Sequence, residues 1–162
     1  MKKLQLLIIH CTATQVGIEV TSDQIRKMHL SPPPVGRGWH QVGYSDMIHL
    51  NGTIENLVKH NEDEWVDPWE ITNGAIGLND VARHVVYVGG IDKIGKPMDT
   101  RTVAQKAALQ LYVEDFLSHH PDCKIAAHNQ FANKACPSFD VPTWCKEIGI
   151  AENNINYQIH RV

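Results

Sequence analysis

Leu4-Gln5-Leu6-Leu7-Ile8-Ile9-His10 is an apolar run broken once, by Gln5, and ended by a histidine. Its length suits a strand. Its apolar residues fall on both faces, as a central strand covered on both sides requires. A covered strand needs partners beside it and helices above and below, and the rest of the chain supplies candidates for each. Thr21-Ser22-Asp23-Gln24 reads as a capping box opening a short helix to about Leu30, which Pro32-Pro33-Pro34 ends. Tyr44 to Leu50 and Thr53 to Val58 flank Asn51-Gly52, a strong hairpin signal. His84 to Val88 is another apolar strand, closed by Gly89-Gly90. A second capping box, Thr102 with Gln105, opens a long helix to about Leu117. Its stripe is read as Val103, Ala107 and Leu111 with Ala104, Ala108, Phe116 and Leu117. Lys124 to Ala127 is a last short strand leading to His128. Strand, helix, hairpin, strand, long helix, strand is the order of an α/β architecture, a mixed sheet flanked by helices.

The chain has 162 residues, 43% hydrophobic and 20% charged, the balance of one ordinary globular domain. We expect a core over about residues 4–148 and a polar, weakly packed tail over 149–162. Residues 60 to 80 form a polar, irregular loop, and long loops are often functional. A net charge of −3 without a basic run gives no support to nucleic-acid binding. No stretch approaches the length of a membrane span. Lys2-Lys3 before an apolar run resembles the start of a signal peptide. The run is too short and lacks a small-residue cleavage site, so synthesis in the cytoplasm without an export signal is expected.

Four cysteines include no CxxC pair, and ten histidines is a high count for this length. His10 ends the first strand, His128 follows the last, and Cys136 lies in the loop beyond. Two imidazoles and a thiolate suit zinc, and a fourth position left to water separates catalytic from structural sites. By residue type alone, a histidine at a strand end is more often a satisfied polar group. Tyr44 reads equally as a packed aromatic, Lys134 as a solvated loop charge, and Cys136 as a small buried side chain. Cys11, next to His10 in a strand, points to the opposite face and is expected to be buried and structural. The other histidines, His29 and His84 among them, have no comparable context.

Ile9-His10-Cys11-Thr12-Ala13-Thr14, Gly43-Tyr44, Tyr87-Val88-Gly89-Gly90 and Ala127-His128 through Lys134-Ala135-Cys136-Pro137 together resemble a known family. They are similar to the zinc amidases of phage endolysins and peptidoglycan recognition proteins, the amidase type 2 family of N-acetylmuramoyl-L-alanine amidases. The resemblance runs from Leu6 to about Trp144, and the spacing of His128, Lys134 and Cys136 is its most specific part. It implies that His10, His128 and Cys136 hold zinc (Zn2+) and that Tyr44 and Lys134 are catalytic. It leaves open which of those two donates the proton. It implies hydrolysis of the amide between N-acetylmuramic acid and L-alanine in peptidoglycan. Trp39 and Asn79 would line the substrate groove, although Trp39 reads equally as a core anchor. A short chain of this kind fits a phage or prophage endolysin that reaches the wall after holin-mediated or lytic release. We expect a monomer. Some phage amidases of this family also bind the phage RNA polymerase, and nothing in this sequence speaks for or against that contact. A recognition module that binds peptidoglycan without cutting it is the alternative, disfavoured because all three ligand types are present.

Two segments depart from the family pattern. Many members carry Ser-Ile-Gly where this chain has Ala82-Arg83-His84, and a histidine after the Gly-Ala of the long loop, where Gly74-Ala75 is followed by Ile76. Both lie near the family's groove, so the resemblance leaves the stem-peptide preference open.

Overall fold

The computed structural model describes residues 1–161. Its strands are β1 (Lys2–Lys3), β2 (Leu6–Cys11), β3 (Thr14–Gln15), β4 (Asp46–Ile48), β5 (Ile54–Asn56), β6 (Trp65–Val66), β7 (Ala82–Tyr87), β8 (Gly90–Ile91) and β9 (Lys124–Ala127). Its α-helices are α1 (Ser22–Leu30), α2 (Val103–His119) and α3 (Val141–Glu147). Five strands make the central sheet in the order β5-β4-β7-β2-β9. β2 runs parallel to both β7 and β9, β4 runs parallel to β7, and only the β4–β5 hairpin is antiparallel. The mixed α/β sheet expected from the element order is therefore present. No helix among the described residues is long and apolar enough to cross a membrane.

β2 is central and covered on both sides, as its composition requires. Leu7, Ile9 and Cys11 pack with Val85, Tyr87, Ile125 and Ala127 under α2 and α3. Ile8 faces the other way, toward Ala75, Ala82 and Ala126. Alternation along β2 puts His10 on the face of Ile8 and Cys11 on the face of Ile9. Cys11 is buried there as expected.

Both capping boxes form. Thr21 accepts from the Gln24 backbone and Thr102 from that of Gln105, each with the reciprocal glutamine bond. The buried face of α2 differs from the expected stripe. Val103 is 87% exposed and Leu111 67% exposed, and Ala107 also faces solvent. The helix instead buries Gln105, Ala108, Leu109, Val113 and Phe116. The stripe contains a glutamine, which an apolar count passes over. Gln105 belongs there because its Nε2 donates to the Ile48 and Val88 carbonyls at 3.3 and 3.0 Å, fastening the helix start to two strand ends.

Tyr112 makes the second polar tie between α2 and the sheet. Its hydroxyl donates to the buried Asp46 carboxylate, which also receives His60 Nε2 at 2.8 Å and Asn56 Nδ2 at 2.9 Å. Burial pushes the Asp46 carboxyl up, but the bonds from His60, Tyr112 and Asn56 outweigh it and hold the group below the ordinary carboxylate range. Hydrogen bonds to a charged group contribute about 2 kcal/mol each. Tyr112→Phe should therefore lower unfolding free energy by about 2 kcal/mol in urea denaturation. A loss under about 0.5 kcal/mol would show that water replaces the bond at no cost.

The segment from Gly149 to Arg161 is anchored at Ile155 and Asn156, while Tyr157 to Arg161 are exposed. Ile155 is 1% exposed and sits beside Ile125 of the edge strand β9 in a parallel bridge. The Asn156 backbone N–H donates to the Ile125 carbonyl at 2.9 Å, and Gln130 Nε2 donates to the Asn156 carbonyl at 2.8 Å. Asn154 Nδ2 donates to the carbonyls of Pro121 and Cys123 at 2.7 and 2.8 Å. An open strand edge needs partners for its backbone groups, and the backbone N–H of residue 156 supplies one here. The backbone covers that edge, and the asparagine side chains hold the segment to the turn before β9 and to Gln130. Val162 lies outside the described residues.

Candidate metal centre and groove

The register of the parallel strands builds the site. Ile8 pairs with Ala126 and Ile9 with Ala127, so one step further His10 comes opposite His128 on the same face. Their ring centroids are 4.6 Å apart. The loop after β9 folds back over the strand ends, with the Asn129 N–H donating to the Cys136 carbonyl at 2.8 Å. The buried Tyr87 hydroxyl donates to the Pro137 carbonyl at 2.6 Å and pins the same turn from the other side of the sheet. Cys136 Sγ thereby reaches 3.8 Å from His10 Nδ1 and accepts the Cys11 backbone N–H at 3.2 Å. The Cys11 side chain, then burial, push the Cys136 thiol well above the ordinary range despite that backbone bond, so it is a thiol until a metal takes the proton's place.

One donor atom each from His10, His128 and Cys136 lies within 4.8 Å of the others. Zinc ligands at ~2.05 Å for nitrogen and ~2.3 Å for sulfur stand roughly 3.6 Å apart at the tetrahedral angle. The observed 3.8 Å between His10 Nδ1 and Cys136 Sγ fits that geometry. Burial, then the neighbouring His84 and His128, hold His10 well below the ordinary imidazole range. Burial and the Lys134 charge lower His128 to about 4. Both are neutral imidazoles near pH 7, the form that ligates a metal. A second acidic group, Asp63, Asp67 and Glu70, is already engaged: the buried Glu70 carboxylate accepts the Asn61 and Asp67 backbone N–H groups.

His10, His128, Tyr44, Lys134, Trp39 and Asn79 all line one groove of about 1030 Å³. Of the seven site residues expected from sequence, only Cys136 lies behind its wall. The Tyr44 ring meets that of His10 at a tilt of 55°, 5.3 Å between centroids. Burial, then the nearby Cys136 sulfur, push the Tyr44 hydroxyl far above the usual tyrosine range, so it stays protonated. Lys134 is exposed at the rim and makes no ion pair with any described residue. Trp39 is half-buried, with its ring 4.8 Å from that of the buried His29 and the residue lining the groove.

Two histidines that stand in no recognisable motif belong to this region. His29 Nδ1 accepts the Gly43 N–H at 3.0 Å, and its ring meets Tyr44 edge-on at 5.3 Å, so it braces the Gly43-Tyr44 turn. His84 lies directly behind His10, its Nδ1 2.8 Å from His10 Nε2. Burial, then His128, lower it to about 3. His29 falls four residues after the buried Ile25 on α1, a helical spacing visible in sequence. For His84 only the pairing of Ile8 with His84 reveals the contact.

The Gly89-Gly90 turn packs against Cys11, the β2 residue after His10. A Cβ on Gly90 would lie 2.4 Å from Cys11 Sγ, and its φ of +107° is one that other residues rarely adopt. Gly90→Ala combines overpacking with backbone strain and should cost about 3 kcal/mol, read as a fall in thermal midpoint of several degrees. A variant as stable as the parent would mean that the turn relaxes freely.

No family model matches the chain. It is 33% identical over 138 residues to the endolysin of Enterobacteria phage K11, covering 85% of this chain and 83% of that protein. The fold matches N-acetylmuramoyl-L-alanine amidase LysC from Clostridium intestinale URNW, with a TM-score of 0.61 and 21% identity over 90% of this chain and 83% of that one. It also matches bumblebee PGRP-SA, with a TM-score of 0.68 and 16% identity over 98% of this chain and 87% of that one. The chain belongs to the phage endolysins, with the fold of the amidases and peptidoglycan recognition proteins.

Proposed function

We propose that this endolysin hydrolyses the amide between the lactyl group of N-acetylmuramic acid and L-alanine, with zinc held by His10, His128 and Cys136. The observation that carries the reading is two neutral imidazoles and a thiol gathered within 4.8 Å beside a long groove. A groove of about 1030 Å³ is at the upper end of small-ligand sites and suits a segment of polymer. Zinc, when bound, polarises the scissile carbonyl and lowers the pKa of a water toward neutrality.

The chain's own residues do the rest. As the carbonyl carbon becomes tetrahedral, negative charge develops on its oxygen, and the Lys134 ammonium at the rim is free to stabilise it. Tyr44, kept protonated by burial, offers a hydroxyl hydrogen to the groove beside His10. A hydroxyl that keeps its proton is a hydrogen-bond donor, which suits stabilising the developing oxyanion better than giving the proton up to the leaving amine. Trp39 gives the groove an aromatic wall for the sugar or the stem.

A recognition protein needs the groove but not the donors. Their completeness here favours cleavage over binding alone. Digestion of purified peptidoglycan with and without a chelator, followed by mass spectrometry, tests the reading. Stem peptides beginning with L-alanine, lost with chelator and restored by zinc, are the expected result. Intact wall that still retains the protein would demote it to a recognition module. Fragments with sugar still joined to peptide would mean a different bond is cut.

A further inference from the structure

His84 is fully buried, lies outside the groove lining, and bridges the metal cluster to the long loop. Its Nδ1 is 2.8 Å from His10 Nε2, and its Nε2 is 3.0 Å from Asn79 Oδ1. The direction of every bond in this chain follows from one fixed donor. The Ala75 backbone N–H points at Asn79 Oδ1 from 2.9 Å. A backbone N–H only donates, so the amide atom facing it is the oxygen, which only accepts. His84 Nε2 faces the same oxygen and therefore carries a hydrogen. A neutral imidazole protonated there has its lone pair on Nδ1. His10 Nε2 must then donate to it, which leaves the His10 lone pair on Nδ1. That is the atom 3.8 Å from Cys136 Sγ.

We propose that His84 is a positioning residue for the metal centre, setting the tautomer and orientation of His10 through a relay that starts at the Ala75 N–H and passes through Asn79. The inference rests on the zinc reading of His10, His128 and Cys136. Outer partners of this kind fix ligand rings, and losing one costs roughly 10–100-fold in metal affinity.

The relay also accounts for a glycine. A Cβ on residue 74 would lie 2.3 Å from His84 Nδ1 and 2.5 Å from its Cγ. Gly74 has no positive φ, so space, not backbone freedom, excludes a side chain there. The two segments that depart from the family pattern, Gly74-Ala75-Ile76 and Ala82-Arg83-His84, thus meet at one point. At least position 84 acts on the metal ligand and not on the groove.

The test is zinc affinity by chelator competition, with the His10 tautomer read by 15N-edited NMR on the metal-free protein. His84→Leu fills the space without an acceptor and should weaken zinc binding about 10–100-fold. His84→Gln, whose side-chain oxygen can accept from His10, should recover most of that loss. Gly74→Ala should weaken zinc binding in the parent and add nothing in the His84→Leu background, because both act through the same contact. The parent should show a hydrogen on His10 Nε2. Zinc affinity within twofold of the parent in folded His84→Leu, or a hydrogen on His10 Nδ1, would overturn the relay. The NMR readout needs no metal, so it judges the relay even if His84→Leu fails to fold. Absence of zinc uptake by the parent chain would instead overturn the metal reading.

Discussion

Cys136→Ser should strip the protein of zinc and lower peptidoglycan hydrolysis by at least about 10³-fold. Serine keeps the shape of the side chain. Its hydroxyl, however, is not ionised near neutral pH, and zinc takes nitrogen and sulfur ligands in sites of this kind. Two imidazoles would remain. The one other sulfur nearby, the Cys11 thiol, hydrogen-bonds the Cys136 side chain but belongs to a strand position facing away from His10, packed in the core with Ile9 and Val85. Loss of a metal's charge stabilisation removes several kcal/mol from catalysis, and each 1.36 kcal/mol is tenfold, so about 10³ is a lower bound. Metal analysis after dialysis should fall from near one zinc per chain to below about a tenth, since two ligands hold zinc far less tightly than three. Cys11→Ala is the matched control. Its backbone N–H, the group that meets Cys136 Sγ, survives the substitution. That variant should keep its zinc and lose only stability, about 1–2 kcal/mol for a small buried side chain. Zinc retained in Cys136→Ser, or lost in folded Cys11→Ala, would reverse the assignment of the two cysteines.

Removing the metal should also be visible without substrate. A ligand that binds only the folded state raises the thermal midpoint, and a metal held by His10 and Cys136 would add a second tie between β2 and the loop after β9 to the bond from the Cys11 N–H. The relation between the two cysteines shows what sequence can and cannot supply. Alternation along a strand assigns His10 and Cys11 to opposite faces from their adjacency alone, because the period of two is a property of the backbone itself. It cannot place His84, since that contact depends on pairing Ile8 with His84 across two parallel strands far apart in the chain. Register between distant strands is set by the packing of the whole sheet, and no local pattern encodes it. The same limit explains α2. Its capping box and length are readable from Thr102 and Gln105, yet its buried face contains Gln105 itself, chosen for two carbonyls at strand ends that only the fold brings together. The C-terminal segment reads as loose for a related reason. Asparagines signal solvent when no partner is in view, and here the partners are the open edge of β9 and the turn that precedes it.

The division of labour between Lys134 and Tyr44 should show in kinetics that leave the metal untouched. Neither residue supplies a donor atom to the cluster, so both Lys134→Ala and Tyr44→Phe should keep one zinc per chain. Lys134 is exposed at the rim and bound to no described acidic group, so its removal disturbs no packing. Any loss of rate then belongs to the transition state. Removing one stabiliser of a developing oxyanion costs about 10²–10³ in kcat, and that is the effect expected of Lys134→Ala. Lys134→Arg keeps the charge but presents a planar fork in place of a compact ammonium, so it should recover only part of the rate. Tyr44→Phe removes a hydroxyl while leaving the ring against His10 and His29. Because burial holds that hydroxyl protonated far above the ordinary range, it donates at every pH of a practical assay. Its loss should lower the whole pH–rate profile by about 10²-fold without changing the profile's shape. If Lys134→Ala keeps its rate within threefold, Lys134 is a solvated loop charge and Tyr44 alone faces the oxyanion. A Tyr44→Phe profile that changes shape would mean that the hydroxyl ionises in the working range, against the burial seen here.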